Sequence, residues 1–158
     1  MRWLDQTIPM THMENHEAHL MELFRSQPLA VLATQHRGQP YTSLVAFAST
    51  EDLMQLIFST TRSTRKYANL SAESRVAMLI DNRSNHPSDL RFARAVTATG
   101  RAQESPKETS NELLSLYLTK HPHLEAFVLS PTSALVTICV EVYYMVTRFQ
   151  NVVEIRMT

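Results

Sequence analysis

FSTTRSTRKYANL, residues 58–70, carries the end of an apolar strand into the start of a helix, and what it is built to hold decides how the rest of the chain reads. From Ser59 to Lys66 every side chain is a hydroxyl or a cation, with no carboxylate among them. The whole chain balances 15 Lys+Arg against 15 Asp+Glu, so this is a local excess with a sign. At a helix start the first backbone N–H groups have no intrahelical partner and the macrodipole adds partial positive charge. Hydroxyls bring further donors, and Arg65 and Lys66 bring full charges, so several independent terms would hold a phosphate there. A plainer account also fits these residues: Ser63 or Thr64 caps the helix while Arg62, Arg65 and Lys66 form a solvated face. The order of the flanking elements separates the two.

Upstream, MQLIFST (54–60) reads as a strand, Thr50-Glu51-Asp52 as a turn, and PYTSLVAFAS (40–49), rich in β-branched and aromatic residues, as another strand. HRGQ around Gly38 joins that strand to LAVLAT (29–34), which predicts a hairpin. Earlier still, Thr11-His12-Met13-Glu14 has the form of a capping box, and Met13, Leu20, Met21 and Phe24 recur at helical spacing. A helix over about 12–26 follows, stopped before Pro28, within an N-terminal helical extension of residues 1–27. Downstream come a helix near 62–72, the strand RVAMLID (75–81), a SNHPSD loop and a long strand over 91–104. A helix over 107–120 ends or restarts at Pro122, HLEAFVL gives a short helix, and strands over 133–149 and 152–157 finish the chain. Adjacent strands without βαβ alternation predict a mainly β (α+β) fold, a six- to seven-stranded antiparallel barrel with flanking helices.

The 158 residues fit one domain, with 44% apolar and 19% charged residues arguing against disorder. No apolar run approaches the roughly 20 residues of a membrane span, and the opening segment is not a secretory signal. A lone cysteine, Cys139, excludes an intrachain disulfide and points to the cytoplasm. Zero net charge argues against nucleic acid as a partner.

Gly38-Gln39-Pro40-Tyr41-Thr42-Ser43-Leu44-Val45, then Phe58-Ser59-Thr60, Thr64-Arg65-Lys66, Asn69-Leu70 and Arg75-Val76-Ala77 stand in an order that resembles the pyridoxamine 5'-phosphate oxidase-like FMN-binding split barrels. The likeness covers roughly residues 28–104. It implies a homodimer with one FMN in each of two grooves at the subunit interface. Ser59, Thr60, Thr64, Arg65 and Lys66 would hold the phosphate and ribityl chain, and Ser43, Leu44, Val45 and Ala46 would lie along the isoalloxazine ring. Arg94, on the long strand, would stand beside the position that reaches the flavin across the interface, where the glutamine of the true oxidases is Ala95. The resemblance implies an oxidoreductase passing electrons between a nicotinamide or other donor and a small acceptor, and names no catalytic acid or base. A deazaflavin or haem is the alternative ligand, and a flavin, haem or tetrapyrrole storage module the alternative role. The oxidases' C-terminal substrate-clamping Arg and His and nearby Trp are not matched: residues 147–158 hold no His, and the single tryptophan is Trp3. Vitamin B6 oxidase activity is therefore not expected.

His12, His16 and His19 could share a helix face, but nothing completes a metal site, so a polar face is expected and no metal. His121 and His123 flank Pro122 and suit a helix end. Cys139, inside the apolar run Leu135–Val140, reads as a buried small hydrophobe, and Tyr143-Tyr144 as packing on a strand.

Overall fold

A computed structural model of the protein describes residues 10–148 and 150–158. Its elements are α1 (Met10–Ser26), β1 (Leu29–His36), β2 (Gln39–Ser49), β3 (Gln55–Thr61), α2 (Arg65–Ala72), β4 (Arg75–Asp81) and α3 (Asp89–Phe92). Then follow β5 (Ala95–Ser105), α4 (Asn111–Lys120), a 3-10 turn (Pro122–Leu124), α5 (Glu125–Leu129), β6 (Ser133–Thr147) and β7 (Asn151–Arg156). The side chains of the Thr11–Glu14 capping box lie outside the described residues.

The strands run in the order β3-β2-β1-β4-β5-β6-β7, and β3 also pairs with β6. All ladders are antiparallel, so β1 to β6 close into a barrel and β7 adds one strand outside it. The β1–β2 hairpin turns on Arg37 (φ 48°) and Gly38 (φ 82°), the two left-handed residues that a two-residue loop of matching twist requires. The β5–β6 ladder shifts register between Thr99 and Gly100, with Val142 opposite the first and Val140 opposite the second. Glu141 is thereby the extra residue of a bulge. A Cβ on Gly100 would stand 2.1 Å from the Cys139 carbonyl oxygen, so no other residue fits without moving backbone.

The closure is incomplete on one side. β2 pairs with β1 from Gln39 to Ala46 but meets β3 only from Phe47 to Ser49. Over its first eight residues β2 therefore has a strand partner on one edge alone, which is the split in the barrel.

Inside, Leu32, Phe47, Phe58, Met78, Ile80 and Tyr143 are fully buried. Leu20, Leu23 and Phe24 of α1 complete this core, with the Phe24 ring edge-on to Phe47 at 5.8 Å. Each such side chain contributes about 1.5–3 kcal/mol by leaving water. A second cluster forms outside the wall, where Tyr117 and Val128 of α4 and α5 pack on Ala48, Ile57 and Leu135. β3 lies between the two clusters, which is why its five central residues are all buried.

Several boundaries differ from those the sequence suggests. The strand read from residue 91 begins at Ala95, because Asp89 accepts hydrogen bonds from the Ser84 amide and hydroxyl and the His86 amide, winding Asp89–Phe92 into a helical turn. The helix read from 107 begins at Asn111, after a turn closed by the Thr109 amide on the Pro106 carbonyl. The strand read to 149 ends at Thr147, before left-handed Arg148 and Gln150. Cys139 is exposed rather than buried: along β6 it shares the outward parity of Glu141, between inward Ile138 and Val140. Among the described residues no helix is long and apolar enough to cross a membrane.

Candidate functional site

The residues of 58–70 divide into two groups. Ser59 and Thr60 are buried at the end of β3. Ser59 donates to the Ala134 carbonyl (3.0 Å), and the Thr60 hydroxyl lies 3.0 Å from that of Thr64. Both hydroxyls brace the strand end internally. Thr64 caps α2: its extended backbone (φ −84°, ψ 154°) turns its hydroxyl onto the Tyr67 amide at 3.4 Å, while the same hydroxyl donates to the Thr61 carbonyl. With the Tyr67 amide so engaged, the Arg65 and Lys66 amides are left as open donors of the first turn.

The cations also separate. Arg62 is withdrawn by Glu104 of β5, which its Nε reaches at 3.1 Å, and it donates to the Pro131 carbonyl as well. That side-chain hydrogen bond holds Glu104 below its ordinary carboxylate range and Arg62 above its own. The Tyr67 hydroxyl also donates to Glu104, which raises the phenol's pKa. The carboxylate that neutralises this stretch thus comes from far along the chain. Among the described residues no carboxylate pairs with Arg65 or Lys66. Arg65 instead lies over the Tyr41 ring, 5.4 Å from its centroid. The helix start therefore adjoins β2 on the stretch that lacks a second strand partner.

Backbone groups alternate in direction along a strand. Tyr117 of α4 donates to the Ala46 carbonyl (3.2 Å), and the Ser59 main-chain amide faces the same hydroxyl. Tyr117 thus occupies the point where β2 and β3 part. By alternation, Leu44 and Thr42 present their amides and carbonyls to the same open edge. Side chains alternate as well: Ser43 and Val45 face the core, where the Ser43 hydroxyl has no hydrogen-bond partner among the described residues. Leu44 and Ala46 face outward, with Leu44 65% exposed.

That outward parity continues around the barrel. Leu44, Val31, Leu79, Thr97 and Tyr144 lie opposite one another in successive ladders, a row across five strands in which none is buried. Leu29 stands on the same face at 46% exposure.

Arg94 precedes β5 rather than lying on it, and pairs with Glu22 of α1 at 3.2 Å. Its amide donates to the Asn82 side chain (2.7 Å), which fixes it to the loop end instead of the ladder. Residues that sequence reasoning did not single out for the site support β2 from behind. His121, 2% exposed, has Nε2 at 2.7 Å from the Phe47 carbonyl, and Lys120 donates to the Phe24 and Gln27 carbonyls at the end of α1. Burial brings the Lys120 pKa down to about 8. Among the described residues no three His, Cys, Asp or Glu side chains gather as a metal would need, and the His12 side chain lies outside those residues.

The fold is thus a mainly β barrel, split beside an unpaired cationic helix start. Residues 17–146 match the sequence profile of the pyridoxamine 5'-phosphate oxidase family, and the chain belongs to that family. Solved structures share its fold. A haem-binding protein from Mycobacterium smegmatis has a TM-score of 0.75 at 14% identity, covering 89% of this chain and 57% of its own. HutZ, the haem storage protein of Vibrio cholerae, has a TM-score of 0.71 at 13% identity, covering 84% and 94%. A FAD-binding protein from Mesorhizobium loti has a TM-score of 0.65 at 17% identity, covering 81% and 90%. The chain spans little more than half the length of the Mycobacterium protein. No match to it is found among curated proteins.

Proposed function

We propose that the protein binds FMN at the split between β2 and β3, in a homodimer, and serves as an oxidoreductase for a small-molecule acceptor. The observation that carries this reading is the junction of two features. Thr64, Arg65 and Lys66 form a donor-rich, unpaired cationic helix start, and beside it runs a strand edge with open amides and carbonyls. A phosphate matches the first by charge and hydrogen bonding. A flat ring with alternating acceptors and donors matches the second. The residues present fit the group: the side chains and open first-turn amides of Arg65 and Lys66, on the helix that Thr64 caps, would take the phosphate, and the β2 edge at Thr42 and Leu44, with the Ala46 amide, the ring.

Bound flavin supplies hydride chemistry with a nicotinamide or another donor. The chain's own part is to hold and orient. The barrel wall gives a rigid surface, the helix start anchors one end, and Tyr117, at the end of the split, and His121, on the Phe47 carbonyl, keep β2 in place. The outward row through Leu44 adjoins the same edge, so a second subunit on that row would cover the ring and exclude water. Arg94, just ahead of β5, would stand beside the position that reaches the flavin from across the interface.

FMN titrated into the protein should lose its fluorescence at micromolar concentration, and the purified protein should be yellow. A colourless protein that leaves FMN fluorescence unchanged would refute the reading. Steady oxidation of NADH or NADPH by the loaded protein separates an oxidoreductase from a storage module, which holds ligand without turnover. A haem-binding relative makes haem the second ligand to try, read by a Soret band on addition of haemin.

A further inference from the structure

We infer that Tyr41 is a positioning residue for Arg65, setting its guanidinium at the phosphate end of the groove before any ligand arrives. This rests on the reading that Arg65 and Lys66, at the helix start capped by Thr64, receive a phosphate. An arginine side chain free in water samples many rotamers, and fixing it on an anion costs that freedom at the moment of binding. A ring face that already holds the guanidinium removes part of the cost and leaves the planar fork's N–H donors free at its rim. Arg65 lies 5.4 Å from the Tyr41 ring centroid, and Tyr41 is 38% exposed, so ring and cation meet at the surface where a ligand would arrive.

Tyr41 is itself fixed. Its carbonyl accepts from the Thr34 hydroxyl at 3.5 Å, and Thr34 stands opposite it in the β1–β2 ladder. Thr34 in turn accepts from the Asn69 side-chain amide at 3.1 Å. Thr34 and Asn69 are both buried, at 3% and 4% exposure, so this polar contact is shielded from water. The path from Asn69 through Thr34 and Tyr41 to Arg65 starts and ends on α2. It locks the helix to the hairpin at one end by hydrogen bonds and at the other by the ring. Lys66 has no comparable support among the described residues, so Arg65 is the preset member of the pair and Lys66 the adaptable one. The arrangement selects ligands that carry a phosphate over the same ligand without one.

FMN and riboflavin affinities of the wild type, Tyr41→Phe, Tyr41→Leu, Arg65→Ala and the Tyr41→Leu/Arg65→Ala double variant test this. Tyr41→Leu should weaken FMN about three- to fivefold and leave riboflavin unchanged. Tyr41→Phe, which keeps the ring, should bind FMN as the wild type does. Once Arg65 is alanine, Tyr41→Leu should have no further effect, since the ring then has nothing to hold. If Arg65→Ala weakens FMN selectively while Tyr41→Leu does not, or if Tyr41→Leu acts equally on both ligands or without Arg65, the positioning role is wrong and the phosphate site stands. If the wild type does not prefer FMN to riboflavin, or Arg65→Ala changes nothing, the phosphate site fails and Tyr41's role goes with it.

Discussion

At the scale of single residues, the proposed phosphate site rests on two cations that differ from their neighbour in one respect. Arg62 has a carboxylate, and among the described residues Arg65 and Lys66 have none. A charge-assisted hydrogen bond is worth about 1.5–3 kcal/mol, so removing two should weaken a phosphate ligand by about 100-fold or more. Arg65→Ala/Lys66→Ala should therefore lose FMN affinity on that scale while riboflavin affinity stays within about twofold, because riboflavin lacks the phosphate. Isothermal titration with both ligands checks it, and equal losses would remove the phosphate assignment. The spacing around Thr64 made the cap and both cations legible, since all three act within one helical turn. The fate of Arg62 was not legible, because Glu104 reaches it through the β5–β6 wall. Nor were the partners of Ser59 and Thr60: a hydroxyl in a sequence is a donor, and only the bond to the Ala134 carbonyl and the approach of Thr64 show that both are engaged within the protein, on opposite faces of a strand buried on both sides.

Between elements, α4 carries more than its sequence suggested. Its end supplies His121 to β2 and Lys120 to the last carbonyls of α1, so one helix terminus fixes two other elements. Burial lowers the His121 pKa below the ordinary 6.5, with Lys120 and His123 adding to the shift and the hydrogen bond to Phe47 opposing it. The unfolded chain then binds a proton that the folded one refuses. Stability is fully present above pH 6.5 and falls as pH drops below it towards the folded pKa, by at most about 1.4 kcal/mol per pH unit. Thermal melts at successive pH values should show this slope in the wild type and a shallower one in His121→Gln, whose amide can still donate to Phe47; identical slopes would dismiss the linkage. Strands were legible where a short apolar run is bounded by polar residues, as along β4, and wherever a turn signal such as Gly38 stood between them. Cys139 misled because β6 is apolar around it on both faces, the outer cluster hiding the parity that leaves the cysteine exposed. The turn at α3 was hidden because three hydrogen bonds to one carboxylate, Asp89, outweigh the strand-like texture of the residues after it.

For the whole molecule, the row Leu44, Val31, Leu79, Thr97 and Tyr144 poses the largest question. A closed barrel needs only its inward parity to be apolar, yet here the outward parity of five strands carries Leu44, Val31, Leu79 and Tyr144 with Thr97 as its one polar member, and none of the five is buried. Such a row is the surface that the proposed second subunit would cover. A second copy related by a twofold axis would bury the same row on both chains, each meeting the other's. Leu44 belongs both to this row and to the open edge of β2, so pairing would place each ligand groove at the boundary between subunits. Val31→Glu tests the arrangement without touching a residue assigned to the ligand. A carboxylate within the row, between Leu44 and Leu79, would be buried in a dry interface, and burying an unpaired charge costs several kcal/mol. Light scattering at micromolar concentration should show a dimer for the wild type and a monomer for Val31→Glu. The variant should melt cooperatively, since position 31 faces away from the core, and should bind FMN much more weakly through loss of the covering subunit. A monomeric wild type, a Val31→Glu protein that still dimerises, or a monomer with full FMN affinity would each place the groove within a single chain.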